Sequence, residues 1–279
     1  MSELIRLSYG GYEAIVAPNL GMNVVSLGYK GRPIFFTPKS IDLESLSCMH
    51  YGNPILMPPN RTEGASFVHE SRTYRLELNE AGLGNSLHGR LWSAIFKVEE
   101  SDSRSVTAAL VNRGDFFPFS FTLRVKAALA DDGLTESFVF TNDCDISMPL
   151  TFGLHTSFVC PTCLKVPIKS RWVRNERFIP EGAPVELDER ELSYTTGFNP
   201  CSSALSGLYT SGGNAAWLDD VHFTVSSAFD QWILWNKGGG KGFVCVEPQC
   251  GAVNCLNSKI GLLVLERGES KAFSISVGL

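Results

Sequence analysis

The sequence predicts an all-β protein, a large antiparallel β-sandwich with few short helices. Three observations carry this prediction. Short runs of alternating apolar and polar residues recur along the whole chain. Gly, Pro, Asn and Asp punctuate those runs, as in "APNLG", "ADDGL" and "NKGGGKG". No segment holds a helical period for the length that a crossover between parallel strands needs.

The first strands are read at "EAIVAP", "NVVSLGY" and "RPIFFTP". "SIDLESLSCMH" then offers a helix, with Ser40 or Asp42 as its cap. "TYRLELN", "AIFKVEE", "VTAALVN", "FSFTLRVKAAL" and "ESFVFTND" resume the two-residue period. The run over 180–191, "PEGAPVELDERE", reads as a polar loop, since strand patterns return on both sides. "HFTVSSA", "QWILWN", "GFVCVEP", "GLLVLERG" and "AFSISVGL" complete the set. So many strands curl or split into two packed sheets. One domain over residues 1–279 is the expected organisation.

Composition bounds the function. The 279 residues are 44% hydrophobic and 19% charged, with a net charge of -5 and no Lys/Arg cluster. Nucleic acid and anionic membrane are therefore not expected partners. "MSELIRLSYGGYEAIV" enters an alternating pattern with no signal-peptide layout, and no apolar run is long enough to cross a bilayer. The expectation is a cytoplasmic chain whose eight cysteines are reduced thiols. "CPTC", Cys160 to Cys163, lacks a second close pair for zinc and a βαβ pattern for redox work, so it reads as a turn.

Chemistry is sought where polar groups interrupt apolar strands. In "TFGLHTSF", Phe152, Leu154 and Thr156 fall on one face and Thr151, Gly153, His155 and Ser157 on the other. The second face is small, polar and roomy, with one imidazole in it. "GFVCVEPQ" places Glu247 at the end of an apolar strand. Desolvation there raises a carboxyl toward a useful base, though a strand-end glutamate reaching solvent is the competing reading. "NSLHGRLW" sets His88 against Gly89, which permits close approach of backbone or ligand. "NPILMPPNRTEG" carries Arg61 behind two prolines, a stiff mount for an oxygen-binding fork or for a surface ion pair. His50, His69 and His222 read as surface or loop histidines. No GxSxG, Walker loop, GxGxxG, HxH or HExxH appears, so no metal site is expected.

In order, "GNPILMPPNR", "NSLHGRLW", "PLTFGLHTSF" and "FVCVEPQ" resemble the aldose 1-epimerase (galactose mutarotase-like) family. The resemblance spans nearly the whole chain. It implies the galactose mutarotase-like supersandwich with one sugar groove and no cofactor. It implies Glu247 as general base and His155 as general acid. It implies His88 and Arg61 as sugar-binding residues, with Asp220, less surely Asp219, contacting hydroxyls. Thr156-Ser157-Phe158 after His155 and the loop "NRTEG" depart from the family pattern, as does the unsettled choice between Gln231 and Trp232 at a sugar-contacting position. These departures bear on sugar preference more than on chemistry.

The implied function is interconversion of the α and β anomers of a free aldohexose by general acid/base ring opening, the work of an isomerase in hexose metabolism. Glu247 would start ionised and His155 protonated. The expected partner is a small-molecule sugar, and the expected assembly a monomer or homodimer. Three alternatives stand beside it. A hexose-6-phosphate epimerase would use Arg90 and Arg61 on the phosphate. A non-catalytic sugar-binding protein would keep the groove alone. A glycosidase would pair Glu247 with Asp220.

Overall fold

Two extended sheets and one smaller sheet carry most of the predicted strands. The computed structural model describes residues 4–41 and 49–279. The helix read over "SIDLESLSCMH" lies largely outside the described residues.

The outer sheet has eight strands. Its spatial order runs from Lys97–Ser101 through Ser105–Arg113, Ser120–Ala130, Gly133–Asn142, Ser270–Gly278, Val221–Val225 and Ala215–Leu218 to Leu164–Lys165. All its pairings are antiparallel. Phe121, Leu123, Val125 and Ala127 alternate inward on Ser120–Ala130, as a half-buried strand requires.

The groove sheet has seven strands. Ile168–Arg171, Ser206–Ser211, Gln231–Trp235, Phe243–Gln249, Gly153–Leu154 and Ile55–Leu56 lie side by side, and Ser157–Val159 also pairs with Phe243–Gln249. A four-stranded sheet from Ile5–Tyr9 to Arg32–Pro33 adds to the same core. One hydrophobic cluster joins residues from Leu7 to Val277. Phe152 sits at its middle, with ring centroids 5.1 Å from each of Phe138, Phe140 and Phe273. Aromatic packing of this kind binds the back of the groove sheet to the outer sheet.

Two local expectations need correction. The end of the supposed loop over 180–191 is a helix, Glu189–Thr196. Its start is a capping box: the Asp188 side chain accepts from Glu191 N (2.8 Å) and the Glu191 side chain from Asp188 N (3.1 Å). The "DERE" spacing carried that signal, but its charged residues masked the short apolar face. The thiol reading also fails at one site. Cys160 pairs not with Cys163 but with Cys201 as a disulfide, their Cα atoms 6.4 Å apart. Asn236 sets this up by holding the carbonyls of Pro200 and Ser203 with its side-chain amide.

Candidate active site

Strand register explains why two residues distant in sequence meet. Gly153 pairs with Gln249, and Ser157 pairs with Cys245. Midway between these pairs, His155 faces Glu247 across neighbouring strands. Cross-strand neighbours of this kind touch. His155 Nε2 stands 3.4 Å from Glu247 Oε1, and both side chains are almost wholly buried. The "TFGLHTSF" strand is broken at His155–Thr156, and all eight of its residues are buried. Of its polar face only His155 looks into a hollow; Thr151, Gly153 and Ser157 pack against neighbouring residues.

That hollow is a groove of about 390 Å³. His155, Glu247, His88 and Arg61 all line it. Small-molecule sites commonly fall in a range of about 300–1,000 Å³. His88 arrives on the backbone of Gly89, whose left-handed φ of 56° brings it against the Met57 carbonyl. His88 N donates to Asn60 O (2.7 Å), and Asn60 N donates to His88 Nδ1 (3.2 Å). An accepting Nδ1 on a neutral ring places the proton on Nε2, a donor for a sugar oxygen. Burial, aided by the charges of His155 and Arg61, holds His88 well below the ordinary histidine range.

Arg61 is aimed by a carboxylate. Its Nε and Nη2 donate to Glu80 at 2.9 and 2.7 Å, and Nη1 donates to Asn60 Oδ1 at 3.3 Å. Burial works against the Glu80 anion, but hydrogen bonds from Arg61 and Asn85 outweigh it and hold Glu80 below the usual carboxylate range.

Burial dominates the central pair. It pushes Glu247 up to about 8, against hydrogen bonding from Gln249, and pushes His155 down to about 4. Burial disfavours the charged form of each group, which favours a proton on Glu247 and a neutral ring on His155.

Behind the groove lies a second buried carboxyl. Glu136 Oε2 accepts from Asn53 Nδ2 (2.6 Å), and Asn53 Oδ1 accepts from Thr156 Oγ1 (2.6 Å), next to His155. Burial raises Glu136 to about 8. An acid whose folded pKa is raised contributes stability below its unfolded pKa, and that contribution is lost as pH rises through the folded value. Glu136→Gln is therefore expected to be near neutral at about pH 4 and stabilising by on the order of a few kcal/mol at about pH 9. Denaturant unfolding at both pH values measures this. A difference that does not change with pH would show that Glu136 is not held neutral.

Other placements differ from the sequence reading. Asp220 does not join the groove. It is exposed, pairs with Arg32, and lines a separate hollow with Asp219. Its hairpin belongs to the outer sheet, whose register carries it away from Glu247. This separation also removes the two-carboxylate arrangement of a glycosidase. Arg90 is exposed, pairs with Glu77 at 3.3 Å, and lines a different hollow from Arg61. His50 is not a plain surface histidine: it lines the groove, 5.1 Å from the Trp235 ring centroid. His69 bonds Ser147, and His222 packs on Trp217. Trp232 is in the core, while alternation puts Trp235 at the groove. Gln231 accepts from Trp172 Nε1 at 2.8 Å.

One set of metal donors exists among the described residues. The nearest ligand atoms of His155, Cys245 and Glu247 lie within 4.8 Å of one another. Two of the three are the His155–Glu247 contact, so an ion there would displace any proton they hold.

Residues 3–278 match the family model described as Aldose 1-epimerase. The chain belongs to the aldose 1-epimerase family. Within that family it is similar to a galactose mutarotase-like protein of Clostridium acetobutylicum, at 26% identity and a TM-score of 0.91 over 98% of this chain and 94% of that one. A galactose 1-epimerase from Lactobacillus acidophilus NCFM shares the fold at 14% identity and a TM-score of 0.78, over 99% of this chain and 93% of that one. Escherichia coli K12 YihR is 23% identical over 282 residues, covering 96% of this chain and 90% of its own length. The epimerase fold is thus the galactose mutarotase-like one that the sequence motifs implied. No helix among its described residues is long and apolar enough to cross a membrane.

Proposed function

We propose that this chain is an isomerase that interconverts the α and β anomers of an aldohexose. The observation that carries the reading is the buried contact between His155 and Glu247, 3.4 Å apart in a sugar-sized groove. Mutarotation moves only protons, and this pair holds one.

A proton shift from Glu247 to His155 makes the working pair without changing net charge. Sugar hydroxyls entering the groove supply hydrogen bonds to the ionised forms, which favours that shift. Glu247 then takes the proton from the C1 hydroxyl while His155 protonates the ring oxygen. The C1–ring oxygen bond breaks and leaves an open-chain aldehyde. Rotation about C1–C2 presents the other carbonyl face, and closure returns both protons. His88 Nε2–H and Arg61 Nη1 hold sugar oxygens during the rotation. The same reading makes the enzyme cofactor-independent, with a single domain over residues 1–279.

The pair also sets a pH profile. Activity needs one proton on the pair, not two and not none. Below the lower limb Glu247 and His155 are both protonated and no base remains. Above the upper limb both are deprotonated and no acid remains. We expect a bell-shaped kcat/KM with limbs near about 4 and about 8, values that belong to the pair. NMR anomer exchange across pH tests it. A flat profile would remove the pair from the mechanism.

A further inference from the structure

A buried sulfur stands beside the acid/base pair. Cys245 and Glu247 are two residues apart on the strand Phe243–Gln249 and so share its face. Ser157, two residues after His155, pairs with Cys245 across to that strand. The register gathers an imidazole, a thiol and a carboxyl, all three buried. His155 Nε2 and Glu247 Oε1 are 3.4 Å apart, and one ligand atom from each of the three residues lies within 4.8 Å of the other two. Zinc bonds of about 2.0–2.1 Å at the tetrahedral angle hold nitrogen and oxygen ligands about 3.4 Å apart. The pair already stands at that spacing. A sulfur ligand at about 2.3 Å sits about 3.6 Å from the other two, so the Cys245 thiol has to close by no more than about 1.2 Å.

Two of the three donors are also held from behind. Gln249 Nε2 donates to Glu247 Oε2 at 3.2 Å, which leaves Oε1 toward His155. Ser157 Oγ is 3.2 Å from Cys245 Sγ, where its hydroxyl can donate to a thiolate. Surrounding hydrogen bonds of this kind orient metal ligands. A fourth position opens toward the groove, which His155 and Glu247 both line. Three protein ligands with one open position suit zinc, and a thiolate beside an imidazole selects such an ion over magnesium or calcium.

We propose that His155, Cys245 and Glu247 bind a zinc-like divalent cation, and that the ion inhibits the enzyme by occupying the atoms that move the proton. The inhibition rests on the mutarotase reading; the site itself does not. Binding forms bonds from the ion to His155 Nε2, Cys245 Sγ and Glu247 Oε1, and it releases to solvent the thiol proton and any proton on Glu247. No electron is transferred. The bound ion leaves no base for the C1 hydroxyl and no acid for the ring oxygen.

Co²⁺ is the spectroscopic probe, because it accepts the same ligands and a cobalt–thiolate bond absorbs in the near ultraviolet. One equivalent added to the full chain should give a thiolate charge-transfer band and tetrahedral visible bands, both lost when Zn²⁺ displaces the cobalt. Cys245→Ala should abolish the charge-transfer band, and Cys245→Ser should do the same at nearly the parent volume. Glu247→Gln and His155→Asn should each weaken Co²⁺ binding by at least about 100-fold, more than loss of a surrounding hydrogen bond costs. NMR anomer exchange reads the inhibition, each protein against its own metal-free rate. Zn²⁺ should silence the parent over the same concentrations that displace Co²⁺, and Cys245→Ser should need at least about 100-fold more. No charge-transfer band, a band that survives both Cys245 variants, or saturating Zn²⁺ that leaves the parent rate unchanged or raises it would overturn the proposal. A Cys245-dependent band in a protein that interconverts no aldose would keep the metal site and sink the catalytic reading.

Discussion

Glu247→Gln is expected to slow anomer interconversion by about 10²- to 10⁴-fold while the protein stays folded. The amide keeps the size and planar shape of the carboxyl, so the groove keeps its form. It cannot accept and return the C1 hydroxyl proton. His155→Asn should lose a similar factor, because the ring oxygen then has no proton donor. The double variant should be little worse than either single one, since each half is useless without the other. Stability should move in the opposite direction from activity. Burial raises Glu247 to about 8, so its carboxyl destabilises the fold as pH rises through that value. Glu247→Gln should therefore unfold at a higher temperature than the parent in mild alkali, a trade of stability for function. Polarimetry on fresh α-D-glucose, paired with thermal unfolding, checks both halves. Near-normal rates in the glutamine variant would end the assignment.

Gly89→Ala is expected to cause a large loss of stability from a single added methyl. An ideal Cβ at position 89 would lie 2.0 Å from the Met57 carbonyl oxygen and 2.6 Å from its carbon. Backbone cannot rotate away as a side chain can. Residues 57 and 89 are also bridged to each other. The left-handed φ of 56° adds a further cost for any residue with a Cβ. Together these predict a loss on the order of 3–5 kcal/mol. For a chain of this size that lowers Tm by on the order of 10 °C. The damage should reach the site, because the displaced segment carries Asn60 and Arg61, and position 89 follows His88. A folded fraction of Gly89→Ala should show a raised KM along with the lower Tm. An unchanged Tm would mean that the close approach of 57 to 89 does not exist in solution.

Much of the site was legible in the chain. His155 and Glu247 each interrupt an apolar strand with a polar group on a definite face, and strand periodicity alone places them there. The words around Arg61 and His88 carried the family resemblance. Arg174, Phe178, Glu80 and His50 were not legible as site residues. "RWVRNERF" has neither a strand period nor a motif, and of its three arginines Arg174 lines the groove, bonded to Ser206 two strands from Glu247. Glu136 was hidden differently. It occupies an inward position on an outer-sheet strand, where periodicity alone predicts an apolar residue, and its partner Asn53 lies 83 positions away.

The chain's own alternation determined its class, its strands and the face on which each polar group stands, because those follow from backbone geometry over a few residues. Tertiary structure alone decided that Asp220 turns away to Arg32. It also decided that Glu247 and His155 are both buried, which disfavours the charged form of each. Pairing register and desolvation depend on neighbours that the local chain does not contain.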